Sequence, residues 1–156
     1  MKLTSLETEV VGLFVHLARL LNLPKSVAEI YGLLFIAPEP LSMEDVSGRL
    51  QLSKGSASQG LKLLRSLGAV QVVYVAGRRN DHYEAEIELR KLVNGFLKDK
   101  LEPHLHTSGE RLDRIESLAQ AAHAEGGGVV LARLEKLKSW GRTGRQFFPQ
   151  VLQSLD

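Results

Sequence analysis

The stretch Leu41-Ser-Met-Glu-Asp-Val-Ser-Gly-Arg-Leu-Gln-Leu-Ser-Lys-Gly-Ser-Ala-Ser-Gln-Gly-Leu-Lys-Leu-Leu-Arg-Ser-Leu-Gly68, continued by Ala69 to Tyr83, decides how this chain of 156 residues folds. Its first part reads as a short helix opened by Ser42. The Ser42 hydroxyl can accept from the amide three residues on while Asp45 reaches back, a relative of the capping box, and Val46 and Leu50 supply a buried stripe. Ser53 is the next cap, and the helix it opens, 53–67, is oddly composed. Gly55 and Gly60 each cost ~1 kcal/mol relative to alanine in a helix interior, so propensity alone would not choose this sequence. Phasing at 100° per residue puts Ala57, Leu61, Leu64 and Gly68 on one side and Gln59, Lys62 and Ser66 on the other, with Ser58 and Gly55 beside them. One face packs; the opposite face is small, polar and cationic. After the stop at Gly68, Val70 to Val75 is β-branched and aromatic, Gly77-Arg-Arg-Asn80 reads as a turn, and His82 to Glu86 returns as a strand.

The order is helix, turn, helix, wing. The predicted fold is therefore mainly α: a winged helix-turn-helix with a two-stranded β wing, flanked by N- and C-terminal dimerisation helices. Three regions follow, with an N-terminal helix in 1–25, the winged module in 26–88 and a C-terminal helical region for dimerisation or effector binding in 89–156.

Outward from the module, the first helix is expected over Leu3 to Leu21, before Pro24. A second runs from a cap at Ser26 to about Ala37, where Pro38 and Pro40 end it. From Leu89 the helical period returns until Pro103 interrupts it, and Thr107 to Glu110 repeats the capping-box spacing to open another helix. Gly126-Gly-Gly128 reads as a joint, Val130 to Trp140 as helix, Gly141 to Gly144 as a break, and Phe147 to Leu155 as the last apolar segment. These stripes exceed what a small winged module can cover. A homodimer is expected, with two recognition helices in successive major grooves of a palindromic operator. The alternative is a monomer whose extra helices enlarge one core.

Composition bounds the function. Hydrophobic residues make up 44% of the chain, enough for a core, and there are no cysteines, so disulfides and thiolate metal sites are excluded and a cytoplasmic setting is the simplest. The N-terminal apolar residues are interrupted by Glu7, Glu9 and Arg19, so no signal peptide is expected, and no apolar run spans a bilayer, so no membrane partner is expected. Net charge is only +2. Between Ser53 and Tyr83, however, Lys54, Lys62, Arg65, Arg78 and Arg79 face a single anion, Asp81, the footprint of a localised contact with double-stranded DNA.

In that reading Gln59 suits an adenine edge and Lys62 a guanine, with adaptable hydrogen bonds from Ser56 and Ser58. Ser53 and Lys54, at the positive end of the helix, suit phosphate, and Arg65 extends the cationic face. Gly55 leaves the backbone free to approach the bases, while Gly60 serves packing against the preceding helix. Arg78 and Arg79 suit the minor groove or phosphates, Asn80 or His82 the DNA backbone, and Asp81 can hold one of the arginines. A rival reading is a winged helix used as a protein-protein module without specific DNA binding. Enzyme readings lack support: there is no phosphate-binding loop, nucleophile elbow or HExxH. His104-x-His106 is a poor metal spacing, because residues two apart on a helix point away from each other, and neither a metal site nor a cofactor is expected.

The runs Ala28-Glu-Ile-Tyr-Gly-Leu-Leu, Pro38-Glu-Pro-Leu-Ser, Leu52-Ser-Lys-Gly-Ser-Ala-Ser and Gly77-Arg-Arg-Asn-Asp-His-Tyr-Glu-Ala-Glu together resemble the GbsR branch of the MarR-like winged-helix transcription regulators, over about residues 26–100. The resemblance implies a dimeric cytoplasmic repressor whose flanking helices form the dimer interface. The chain departs from the family pattern at Asn80, usually lysine, and at His82, usually aromatic. Some relatives sense an osmolyte precursor such as choline, a quaternary ammonium that needs an aromatic cage. Phe14, Tyr31, Phe35, Trp140, Phe147 and Phe148 are the rings available for such an effector.

Overall fold

A computed structural model describes residues 2–122 and 128–155. The chain divides into two compact units, 1–95 and 96–156. The first unit thus takes in residues 1–25 and 89–95 together with the winged module.

In the first unit, α1 (Ser5–Leu20) is opened by Thr4, whose hydroxyl accepts from the Glu7 amide while the Glu7 carboxylate accepts from the Thr4 amide. This capping box lies inside the helix span expected from Leu3. Helix α2 (Lys25–Ile36) begins one residue before the expected cap: Pro24 stands at its N-cap, and no side chain caps it. Ser26 is therefore in the first turn and does not cap the helix. Ile30 and Leu33 on α2 are fully buried and form the centre of the core with Val46 and Leu61.

Strand β1 (Leu41–Ser42) leads into α3 (Met43–Leu50), a connection leads to α4 (Lys54–Ser66), and β2 (Val70–Val73) and β3 (His82–Ala85) form the hairpin. The sheet has three strands, in the order β1-β3-β2, where the sequence predicted two. Leu41 pairs with Tyr83 and Ser42 with His82, antiparallel. Two residues are too short to show alternation, so β1 exists only because the free edge of β3 recruits it. Gly68, at φ +69°, takes the left-handed conformation that ends α4. Gly60 is buried on α4, and a Cβ there would collide with Ile30 Cδ1. The glycine permits close packing, as expected, but onto α2 rather than α3.

Helix α5 (Leu89–Phe96) closes this unit. In the second unit the helix does not stop at Pro103: a five-residue π-helical turn, Leu97–Leu101, runs straight into α6 (Glu102–Ala122). The Glu102 amide bonds to the Leu97 carbonyl, five residues back, so the ladder takes up an extra residue just where proline offers no donor. Thr107 opens no new helix; its hydroxyl donates to the Pro103 carbonyl at 3.1 Å inside α6. Of the expected joint, Gly126 and Gly127 lie outside the described residues, and Gly128 begins α7 (Gly128–Gln153). Gly141 and Gly144 do not break α7, since a glycine weakens a helix by ~1 kcal/mol without ending it.

Candidate nucleic-acid interface

The α4 helix divides as its periodicity requires. Ala57, Gly60, Leu61 and Leu64 are buried, while Lys54, Gly55, Ser58, Gln59, Lys62, Arg65 and Ser66 are exposed. The N-terminal end is built by Ser53, whose Oγ accepts from the Ser56 amide at 3.1 Å and donates to Ser56 Oγ at 3.0 Å. Ser56, half-buried, is thus engaged with its own cap, whereas Ser58 and Gln59 stand free on the outer face. A Cβ at Gly55 would approach only Ser53 Oγ, at 3.9 Å, so the backbone there is open to whatever approaches.

The wing tip is shaped by Gly77, at φ +77°, and by the Arg78 amide donating to the Val75 carbonyl at 3.1 Å. Arg78, Arg79 and Asn80 are all exposed. His82 is not: it is 7% exposed and its Nδ1 lies 2.8 Å from the Asn80 carbonyl oxygen. The histidine therefore braces the base of the wing from inside the sheet, and the outward contact expected of it is corrected. No ion pair joins Asp81 to Arg78 or Arg79 among the described residues, so the arginines are not held that way.

Ser42, Asp45, Gly77, Arg78, Arg79, Asn80 and His82 line one recess where α3 meets the wing. Asp45 Oδ2 accepts from the Ser42 hydroxyl at 2.7 Å and from its amide at 3.1 Å. These bonds hold the Asp45 carboxyl below the usual carboxylate range, with smaller electrostatic help from the His82 and Arg78 side chains. The residue that completes the α3 cap is also the anion under the wing.

Sequence reasoning gave no role to Tyr74, which follows β2 and is 88% exposed. Alternation from Val72 would have placed it on the outer face. It also missed the Glu7–Arg49 ion pair, which ties α1 to α3. That link joins elements far apart in sequence, and no local pattern announces it. The rings considered for an ammonium cage divide. Phe14, Tyr31 and Phe35 pack on one another with centroids 4.9 to 6.0 Å apart, filling their shared space, while Trp140 and Phe147 are exposed.

No family model matches the chain. A curated protein, the HTH-type transcriptional repressor GbsR of Bacillus subtilis (strain 168), is 26% identical over 98 residues, 63% of this chain and 54% of that protein. The likeness is to a GbsR-type regulator. The chain spans about half the length of this GbsR relative. A solved structure described as a transcriptional regulator superposes with a TM-score of 0.62 over 95% of this chain and 96% of that one, at 18% identity. It shares the fold, so the winged helix-turn-helix predicted for a GbsR-like sequence is the architecture found. Both likenesses are to proteins named as regulators of transcription and neither to an enzyme. Among the described residues no His, Asp and Glu gather as a metal site, and no helix is long and apolar enough to cross a membrane.

Proposed function

We propose that this chain is a sequence-specific DNA-binding regulator of transcription, a dimeric cytoplasmic repressor that binds a palindromic operator and is released by a small-molecule effector. Helix 53–67 reads the major groove through Ser58, Gln59 and Lys62, with Ser53, Lys54, Ser56 and Arg65 toward phosphates, and the wing 77–82 clamps the flank with Arg78, Arg79 and Asn80. One observation carries the reading. The outer face of α4 is exposed, small and cationic, although the helix pays for a glycine at position 55 to make it so, and the adjacent wing tip presents two exposed arginines.

The dimer is supported by α1, where Leu6, Leu13, Leu17 and Leu20 are exposed at heptad-like spacing, more apolar surface than a lone helix leaves in water. An effector of quaternary ammonium type would have to sit elsewhere than among Phe14, Tyr31 and Phe35, whose mutual packing leaves no gap between them.

The test is a gel shift with the region upstream of the chain's own gene against unrelated DNA, at physiological salt, with mass measured by light scattering. Preferential binding by a species of twice the chain mass is expected. Equal affinity for both DNAs would return the surface to the rival role of a protein-docking module, and a monomeric complex would remove the palindrome.

A further inference from the structure

The groove between α6 and α7 holds a set of charges unrelated to the wing. An ion pair between Lys138 and Glu116 fixes how the two helices face each other. Lys138 also lines, with His106, Glu110 and Asp113 of α6 and Arg142 and Arg145 of α7, a recess of about 390 Å³, with Leu112 as an apolar patch and Gly109 in the wall. Sites for small molecules begin near 300 Å³, so the space is of the right order.

Two features distinguish this recess from an ordinary zipper of surface ion pairs. Asp113, Arg142 and Arg145 form no ion pair within 4.0 Å among the described residues, and Glu110 has only His106, at 3.6 Å. Apart from the Lys138–Glu116 pair, Asp113 on one wall and Arg142 and Arg145 on the other thus line the groove with no ion pair between them. Moreover, a Cβ at Gly109 would meet nothing within 4 Å, unlike one at Gly60, so packing within the chain does not explain a glycine that costs α6 ~1 kcal/mol. It leaves that stretch of the recess wall without a side chain.

We propose that this recess binds a small dipolar molecule of the amino-acid type. Arg142 and Arg145 take its carboxylate, where guanidinium forks give charge-assisted hydrogen bonds, and Asp113 with Glu110 takes its ammonium group. Leu112 receives an apolar side chain. A simple anion would face two carboxylates and a simple cation two guanidinium groups. Only a ligand carrying both charges satisfies both walls.

The full chain, without DNA, is titrated calorimetrically with L-alanine, L-leucine and L-glutamate, and with acetate and methylammonium as single-charge probes. Saturable binding of at least one amino acid is expected, about tenfold or more tighter than either single-charge probe and weakened about tenfold by Arg142→Ala and by Asp113→Asn. Circular dichroism confirms that these surface variants fold. Absence of saturable binding by all three amino acids, equal binding of acetate, or binding that survives both substitutions overturns the proposal. The inference deepens the effector part of the proposed function, and the two fail separately: the titration contains no DNA, and the gel shift contains no amino acid.

Discussion

The Tyr31 hydroxyl donates to the Glu86 carbonyl at 2.6 Å, joining the middle of α2 to the end of the wing hairpin across 55 residues of sequence. Burial, with a smaller contribution from the Glu86 charge, pushes the Tyr31 hydroxyl up to about 12. The folded state therefore holds this proton more tightly than the unfolded chain, whose tyrosine ionises near its ordinary value of 10.0. The stability so gained is complete below the unfolded value and declines as pH rises through the folded one. Tyr31→Phe should cost roughly 1 to 2 kcal/mol by leaving the carbonyl unpaired, and should flatten the alkaline loss of stability. Urea unfolding of both proteins at neutral pH and above pH 10 measures it.

Glu7 is buried against Arg49, and hydrogen bonding from the Thr4 amide, then from the Arg49 guanidinium, holds its carboxyl below the ordinary value. Its contribution is present above the unfolded carboxylate pKa and is lost as pH falls through the lower folded one. Arg49→Met alone strands a buried carboxylate and should cost roughly 3 kcal/mol at neutral pH. Combining it with Glu7→Gln should restore part of that. A double-mutant cycle in chemical denaturation reads the coupling, and additive effects would show that the pair is not coupled.

Gly55 and Gly60 should respond in opposite senses. Gly60→Ala drives a methyl group into the buried Ile30 side chain and should destabilise by about 1 to 3 kcal/mol. Gly55→Ala meets open space and should stabilise α4 by up to about 1 kcal/mol, while weakening DNA binding by obstructing approach of the backbone. Melting temperature and gel shift, run on both variants, separate packing from recognition.

At the proposed interface, Arg79→Ala should weaken binding to every DNA sequence and reduce the salt-dependence slope by about 1. Gln59→Ala should instead relax preference at one base pair by about 1 to 3 kcal/mol. Fluorescence anisotropy across a set of single-base operator variants and salt concentrations distinguishes them, and identical profiles for the two substitutions would refute the division between groove and wing.

The helix-turn-helix was legible because its determinants are local. Ser42 with Asp45 and Ser53 with the Ser56 amide lie within one helical turn, and Ala57, Leu61 and Leu64 recur at the helical period. Strand β1 was not legible, since its pairing with His82 and Tyr83 is a long-range contact made by a segment too short to carry a pattern. Pro103 misled for a different reason: the π-helical turn Leu97–Leu101 takes up an extra residue just before it, and α6 runs on through the proline. At the interface, exposure of Gln59, Lys62 and the wing arginines followed from helix phase and turn chemistry. The inward turn of His82 did not, because it depends on which strand edge α3 brings alongside.

Ser42 is both the partner of His82 in the sheet and the cap of α3. The base of the wing and the helix-turn-helix thus share one residue, and the span from wing to α4 can act as a caliper whose opening that junction sets. A duplex whose grooves are too wide or too narrow for that opening must bend to fit or forgo one of the two contacts. The protein would then discriminate among DNA sequences by how easily they deform, at base pairs that none of its side chains touch.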